Sequence, residues 1–105
     1  MKIKKHVLYV GLNDKDTKLQ KISTKAAQRV IMRLVDANKY DGATISNATG
    51  FYKYNDGARG IEKTLRVEIM FADTAKTQQL IKDLKTELNQ ESIALETSTV
   101  NSQLI

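Results

Sequence analysis

The chain has 105 residues, with 17 Lys/Arg against 12 Asp/Glu for a formal net charge of +5, 41% apolar residues, and no Cys, Trp or Pro. Without cysteine, disulfides, thiolate metal sites, iron–sulfur clusters and cysteine nucleophiles are excluded, and the apolar content argues against disorder. The length fits one domain over residues 1–105, and no apolar run approaches the roughly 20 residues of a membrane span, so a cytoplasmic protein is expected.

The first ten residues are basic and then apolar, and they run into Gly11-Leu12-Asn13-Asp14 without a small-residue cleavage site. They read as a strand rather than a signal peptide. From Lys4 to Leu12 the pattern alternates, with His6, Leu8, Val10 and Leu12 on one side and Val7, Tyr9 and Gly11 on the other. A polar loop reaches Ile22, and Ser23 or Thr24 is placed to cap a helix. Ala27, Val30, Ile31, Leu34 and Val35 recur at three- and four-residue steps and predict an amphipathic helix ending near Asn38.

After the Asp41-Gly42 turn, Ala43 to Tyr54 reads as a strand with Ile45 and Phe51 on one face. Asn55-Asp56-Gly57 marks a tight hairpin, because Asp-Gly suits its positive φ angles. Glu62 to Phe71 alternates most cleanly, with Leu65, Val67, Ile69 and Phe71 expected inward. Asp73 or Thr74 then caps a second helix with the stripe Leu80, Ile81, Leu84 and Leu88. A last strand, Ser92 to Val100, carries Ile93 and Leu95. The order β-α-β-β-α-β predicts an α+β, ferredoxin-like fold, with a four-stranded antiparallel sheet covered by two helices on one face. The other face collects Thr44, Ser46, Ala48, Tyr52, Thr64, Arg66, Glu68, Ala94, Glu96 and Ser98, a mixed polar surface open to solvent or to an oligomer contact.

Three stretches together resemble a family of small bacterial proteins of unassigned function. They are Leu8-Tyr9-Val10-Gly11-Leu12-Asn13-Asp14-Lys15-Asp16-Thr17, Ala48-Thr49-Gly50-Phe51-Tyr52 and Leu88-Asn89-Gln90-Glu91-Ser92-Ile93. A more distant likeness is to the PII signal-transduction and CutA-type proteins, which share the ferredoxin-like topology and form trimers. Gly50-Phe51 stands where PII proteins often carry a Gly-aromatic step. The Tyr54–Gly60 hairpin is short, however, and Asn89–Ser92 holds no glycine where PII proteins have a phosphate-cradling turn. The resemblance therefore implies fold and homo-oligomerisation, as a dimer or trimer, rather than PII-type nucleotide binding.

Candidate chemistry is sparse. His6 is the only histidine and lies beside Lys4 and Lys5, so it reads as a strand residue rather than a catalytic base. No zinc site can be assembled from it, and no metal or cofactor is expected. Asn13, Asp14, Asp16 and Thr17 gather oxygen ligands without EF-hand spacing, which favours a solvated turn. Glu62, Arg66, Glu68 and Glu96 suit cross-strand ion pairs worth about 0.2–1 kcal/mol each.

The leading expectation is a non-catalytic, oligomerising module that holds a small ligand or a protein partner where the hairpin meets the Asn89–Ser92 turn. Gly50, Tyr52, Arg59, Gln90 and Glu91 are its candidate residues, with the Gly57–Gly60 tip and Arg59 suited to grip an anionic group. The alternative is a nucleic-acid-binding accessory protein. Net charge is +7 before Tyr54 and −2 from it onward. Lys25, Arg29 and Arg33 follow one another at four-residue steps as a basic ridge on the first helix.

Overall fold

In the computed structural model, which describes Met1–Ile105, the six expected elements appear in the expected order. They are β1 (Lys2–Gly11), α1 (Thr24–Ala37), β2 (Thr44–Lys53), β3 (Arg59–Met70), α2 (Thr74–Glu87) and β4 (Ala94–Asn101). The strands form one antiparallel sheet in the order β2-β3-β1-β4, with both helices on one face. No helix is long and apolar enough to cross a membrane.

Helix boundaries follow from local chemistry. The Ser23 hydroxyl accepts from the Ala26 N–H and the Asp73 carboxylate from the Lys76 N–H, so each side chain satisfies a donor of the first turn. Both C-termini close in the same way. Lys39 and Asn89 take left-handed φ values of 68° and 48°. The N–H groups of Lys39 and Tyr40 then reach the carbonyls of Asp36 and Val35, and those of Asn89 and Gln90 reach Thr86 and Lys85. This is the Schellman arrangement. It turns Tyr40 and Gln90 inward, and both are buried.

The core lies between the helices and one sheet face. Leu8, Val10, Leu65, Val67 and Ile69 meet Ala27, Ile31, Leu80 and Leu84, all fully buried. His6 is buried on the same face, where its Nδ1 lies 2.7 Å from the Thr77 hydroxyl. On the open face an ion-pair lattice covers Val7. Lys5 and Arg66 both bind Glu68, at 2.7 and 2.6 Å, and the Tyr9 hydroxyl donates to Glu96 at 3.2 Å.

Two expectations need correction. Phe71 is not an inward strand residue: β3 ends at Met70, and Phe71 sits in the following turn at φ 54°, 39% exposed. Phe51 shares a face with Ile45 as expected, and it is 63% exposed because the β2–β3 hairpin extends past the helices. The overhang contributes to the elongated shape of 43 × 24 × 22 Å. The Asn13–Thr17 loop is not a freely solvated turn either, because Asp14 is buried.

Candidate functional site

At the hairpin end of the sheet, β1 leaves its ladder, α2 hands over to β4, and the β2–β3 hairpin rises above both. A cleft of about 100 Å³ opens there. Its floor is set by one missing side chain. In the antiparallel register Gly11 faces Thr64, one ladder step from Glu62, and a Cβ on Gly11 would sit 1.9 Å from Glu62 Oε1. The Glu62 carboxyl therefore occupies space that any other residue at position 11 would fill.

Glu62 is only 8% exposed. Its Oε2 accepts from the Asn13 N–H at 2.9 Å. The ion pairs of the chain are Lys5–Glu68, Lys18–Asp56, Lys21–Asp14, Arg33–Glu87 and Arg66–Glu68, and none reaches Glu62. Burial raises the Glu62 pKa above the ordinary carboxylate value, and the Asn13 N–H only partly offsets this. A buried carboxyl without a counter-ion is a costly arrangement unless something pairs with it.

The walls are aromatic and amide-rich. Tyr9, Tyr52 and Tyr54 line the cleft with Asn13, Gln90 and Glu91, and Lys15, Lys53, Ser92 and Ala94 complete it. Tyr52 lies over Gly50, where a Cβ would come within 2.3 Å of its ring and 2.6 Å of the Thr64 hydroxyl. That hydroxyl is buried and has no hydrogen-bond partner. Gln90 Nε2 donates to the Asn13 carbonyl at 2.8 Å. Glu91 accepts from the Asn55 N–H at 3.3 Å and so ties the α2–β4 turn to the hairpin. Lys18 Nζ stands 4.7 Å from the Tyr54 ring centre, so this ring already attracts a cation.

Asp14 secures the loop behind the cleft. One carboxylate oxygen accepts from the Asp16 and Thr17 N–H groups at 2.9 and 3.0 Å, and the other from Asn89 Nδ2 at 2.7 Å. These bonds, the Asn89 amide first, hold its carboxyl far below the usual carboxylate range. The loop oxygens are thus spent on internal bonds, and the chain contains no cluster of three acidic or histidine side chains arranged for a metal ion.

Of the candidates named from the sequence, Tyr52, Gln90 and Glu91 line the cleft together, and Gly50 lies beneath Tyr52. Arg59 lies elsewhere, its guanidinium 5.3 Å from the Phe51 ring. Lys25, Arg29 and Arg33 are exposed on α1, with Arg33 bound to Glu87 of α2. Sequence reasoning missed Glu62 as a site residue, as well as Tyr9, Gly11, Asn13 and Tyr54. The usable signal was the register that sets Gly11 near Glu62.

Linkage gives one direct test of the Glu62 environment. Below its ordinary pKa both the folded and unfolded chains hold the proton. As pH rises through the raised folded-state value, the unfolded chain releases its proton more readily, and the native state loses stability. Glu62→Gln keeps an acceptor for the Asn13 N–H and removes the charge. Its melting temperature is expected to exceed that of the wild type at pH 7, with the gap closing toward pH 4. A lower value at pH 7 would show that the charged form is well solvated.

Solved structures share this fold. A phage SAM lyase in complex with S-methyl-5′-thioadenosine aligns with TM-score 0.71 and 19% identity, covering 94% of this chain and 89% of that one. CutA from Archaeoglobus fulgidus, a periplasmic divalent cation tolerance protein, aligns with TM-score 0.62 and 12% identity over 95% and 87% of the two chains. CutA from Synechococcus elongatus gives 0.59 and 13% over 94% and 77%. At these identities the likeness concerns the fold, and it agrees with the CutA-type topology expected from the sequence. Among curated proteins none matches the chain in sequence. Residues 5–103 match the model of the family described as "Protein of unknown function (DUF3574)", and the chain belongs to that family.

Proposed function

We propose that this chain is a non-catalytic, cytoplasmic ligand-binding module that works as a homo-oligomer, with the Glu62 cleft as its site and a small organic cation as its ligand. One observation carries the reading: a buried carboxyl without a counter-ion lines an open cleft walled by three tyrosines. A cationic group would pair with Glu62 and rest against the rings, relieving the desolvation cost of the buried carboxyl. At about 100 Å³ the cleft suits a charged head group, with the rest of the ligand lying over Tyr52. Sulfonium compounds belong to this class, and a SAM lyase is among the proteins that share the fold. Oligomerisation draws support from the CutA-type fold and would use the open sheet face, which neither helix covers.

Native mass spectrometry of gently purified protein tests subunit count and retained ligand together. Calorimetry with S-adenosylmethionine, a sulfonium, and S-methyl-5′-thioadenosine, its neutral relative, tests the charge preference. The cation is expected to bind more tightly, and Glu62→Gln to abolish the difference. A ligand-free monomer that binds neither compound would overturn the reading. Steady conversion of the cation, followed by NMR, would replace the non-catalytic reading with an enzyme whose acid–base group is Glu62.

A further inference from the structure

On the helix side of the sheet, the overhanging hairpin exposes a ladder of three cross-strand pairs: Thr49 with Lys63, Phe51 with Ile61, and Lys53 with Arg59. Phe51 and Ile61 are 63% and 70% exposed, and the four polar residues are also exposed. The six side chains hold three cations and no carboxylate. Asp56, at the hairpin tip, is paired with Lys18. Arg59 lies over the Phe51 ring. Lys63 is separated from the Lys53–Arg59 pair by about 13 Å along the strands, at roughly 3.3 Å per residue. Because β1 ends at this end of the sheet, α1 also begins here, bringing exposed Lys25 and a first turn without acidic residues.

An exposed aromatic ring flanked along one line by cations is not explained by stability, since covering it would bury apolar area at a gain. Its chemistry fits a strand of phosphates running past the cations while a base stacks on Phe51. We propose that this hairpin underside is a docking surface for single-stranded nucleic acid. It faces away from the Glu62 cleft, with which it shares only Lys53, and it leaves out the Arg29–Arg33 part of the α1 ridge, where Glu87 already neutralises Arg33. A duplex fits less well, because its paired bases are not free to stack on the ring.

Fluorescence anisotropy with a labelled 12-nucleotide oligothymidine tests this. Binding is expected at 50 mM salt and weakens steeply by 200 mM. Phe51→Ala should cost about tenfold in affinity, and its loss of the Arg59 and Ile61 contacts should lower the melting temperature by only about 1–5 °C. Arg59→Gln and Lys63→Gln should each reduce the slope of log K against log salt by about 0.7. No binding at 50 mM overturns the proposal, as does equal affinity for a duplex of the same length. So does binding that survives Phe51→Ala but is lost in an Arg29→Gln/Arg33→Gln variant, which would move the interface to the helix ridge. If Phe51→Ala instead dissociates an oligomer that binds no oligonucleotide, the ladder belongs to a second copy of the chain.

Discussion

Replacing Thr77 by valine is expected to destabilise the domain by about 2–3 kcal/mol, a fall of roughly 10–20 °C in melting temperature. The Thr77 hydroxyl lies between two buried groups, 2.7 Å from His6 Nδ1 and 2.6 Å from the Tyr40 hydroxyl. Tyr40 continues the chain by accepting from the Asp73 N–H and donating to the Asp73 carbonyl, each at 2.9 Å. The network joins β1, the α1–β2 connection and the cap of α2. Valine keeps the shape but leaves His6 Nδ1 facing a methyl group, and an unpaired buried polar atom costs more than a hydrogen bond ordinarily contributes. Tyr40 keeps its contacts with Asp73, so the loss is confined to one side. Thr77→Ser retains the hydroxyl and should cost less than half as much. Burial, and then Lys4, lowers the His6 pKa, while Asp73 opposes the shift. A histidine depressed in the folded state favours folding above its ordinary pKa of about 6.5. That contribution is lost as pH falls below this value, because the unfolded chain takes up the proton first. Thermal unfolding of both variants between pH 7 and 5 measures the two effects together. A Thr77→Val protein as stable as wild type would mean that His6 finds another partner.

The architecture was legible in the sequence because each element announces its own period. The stripe Ala27, Ile31, Leu34 and Val35 can only be helical, and Leu65, Val67 and Ile69 can only be a strand with one buried face. Asp56-Gly57 and the caps Ser23 and Asp73 mark the boundaries between them. What failed to show was anything set by length rather than period. Phe51 shares the face of Ile45, but the hairpin carries it past the start of α1, and no local signal says how far a pair of strands outruns its covering helix. Phe71 fails for a related reason: the ladder closes at Met70, and the next residue bends into the left-handed turn that leads to the Asp73 cap.

The site was half legible. Gln90 and Glu91 could be placed because a turn after α2 must reach the sheet end, and Tyr52 because alternation put it on the open face. Glu62 looked like one more charged strand residue. Its burial follows from Gly11 across the sheet and from the Asn13 backbone curling back over it, and both depend on register rather than on neighbours in sequence. Likewise, Asp14 and Asn89 are 75 positions apart, and only the fold shows that they brace the same end of the cleft.

Gly11→Ala should separate binding from folding, and it is the sharpest single change available in the cleft. The backbone at Gly11 needs no unusual conformation, so alanine there gains about 0.4–1 kcal/mol from the lower entropy of the unfolded chain. Against this, its Cβ would fall 1.9 Å from Glu62 Oε1 and 2.5 Å from the carboxyl carbon. A long side chain can escape such a clash by turning outward, where water solvates it and supplies the Asn13 N–H with a new acceptor. Stability should therefore change by less than about 1 kcal/mol, because the relieved burial and the lost hydrogen bond oppose one another. Binding has no such compensation. With the carboxyl withdrawn, affinity for the sulfonium probe should fall at least tenfold, about 1.4 kcal/mol or more. The Glu62 pKa, followed by carboxyl-carbon NMR, should return toward its ordinary value. The variant carrying both Gly11→Ala and Glu62→Gln should bind no worse than Glu62→Gln alone, since the two changes act through one group. Additive losses would mean that Gly11 shapes the cleft through its backbone, independently of Glu62.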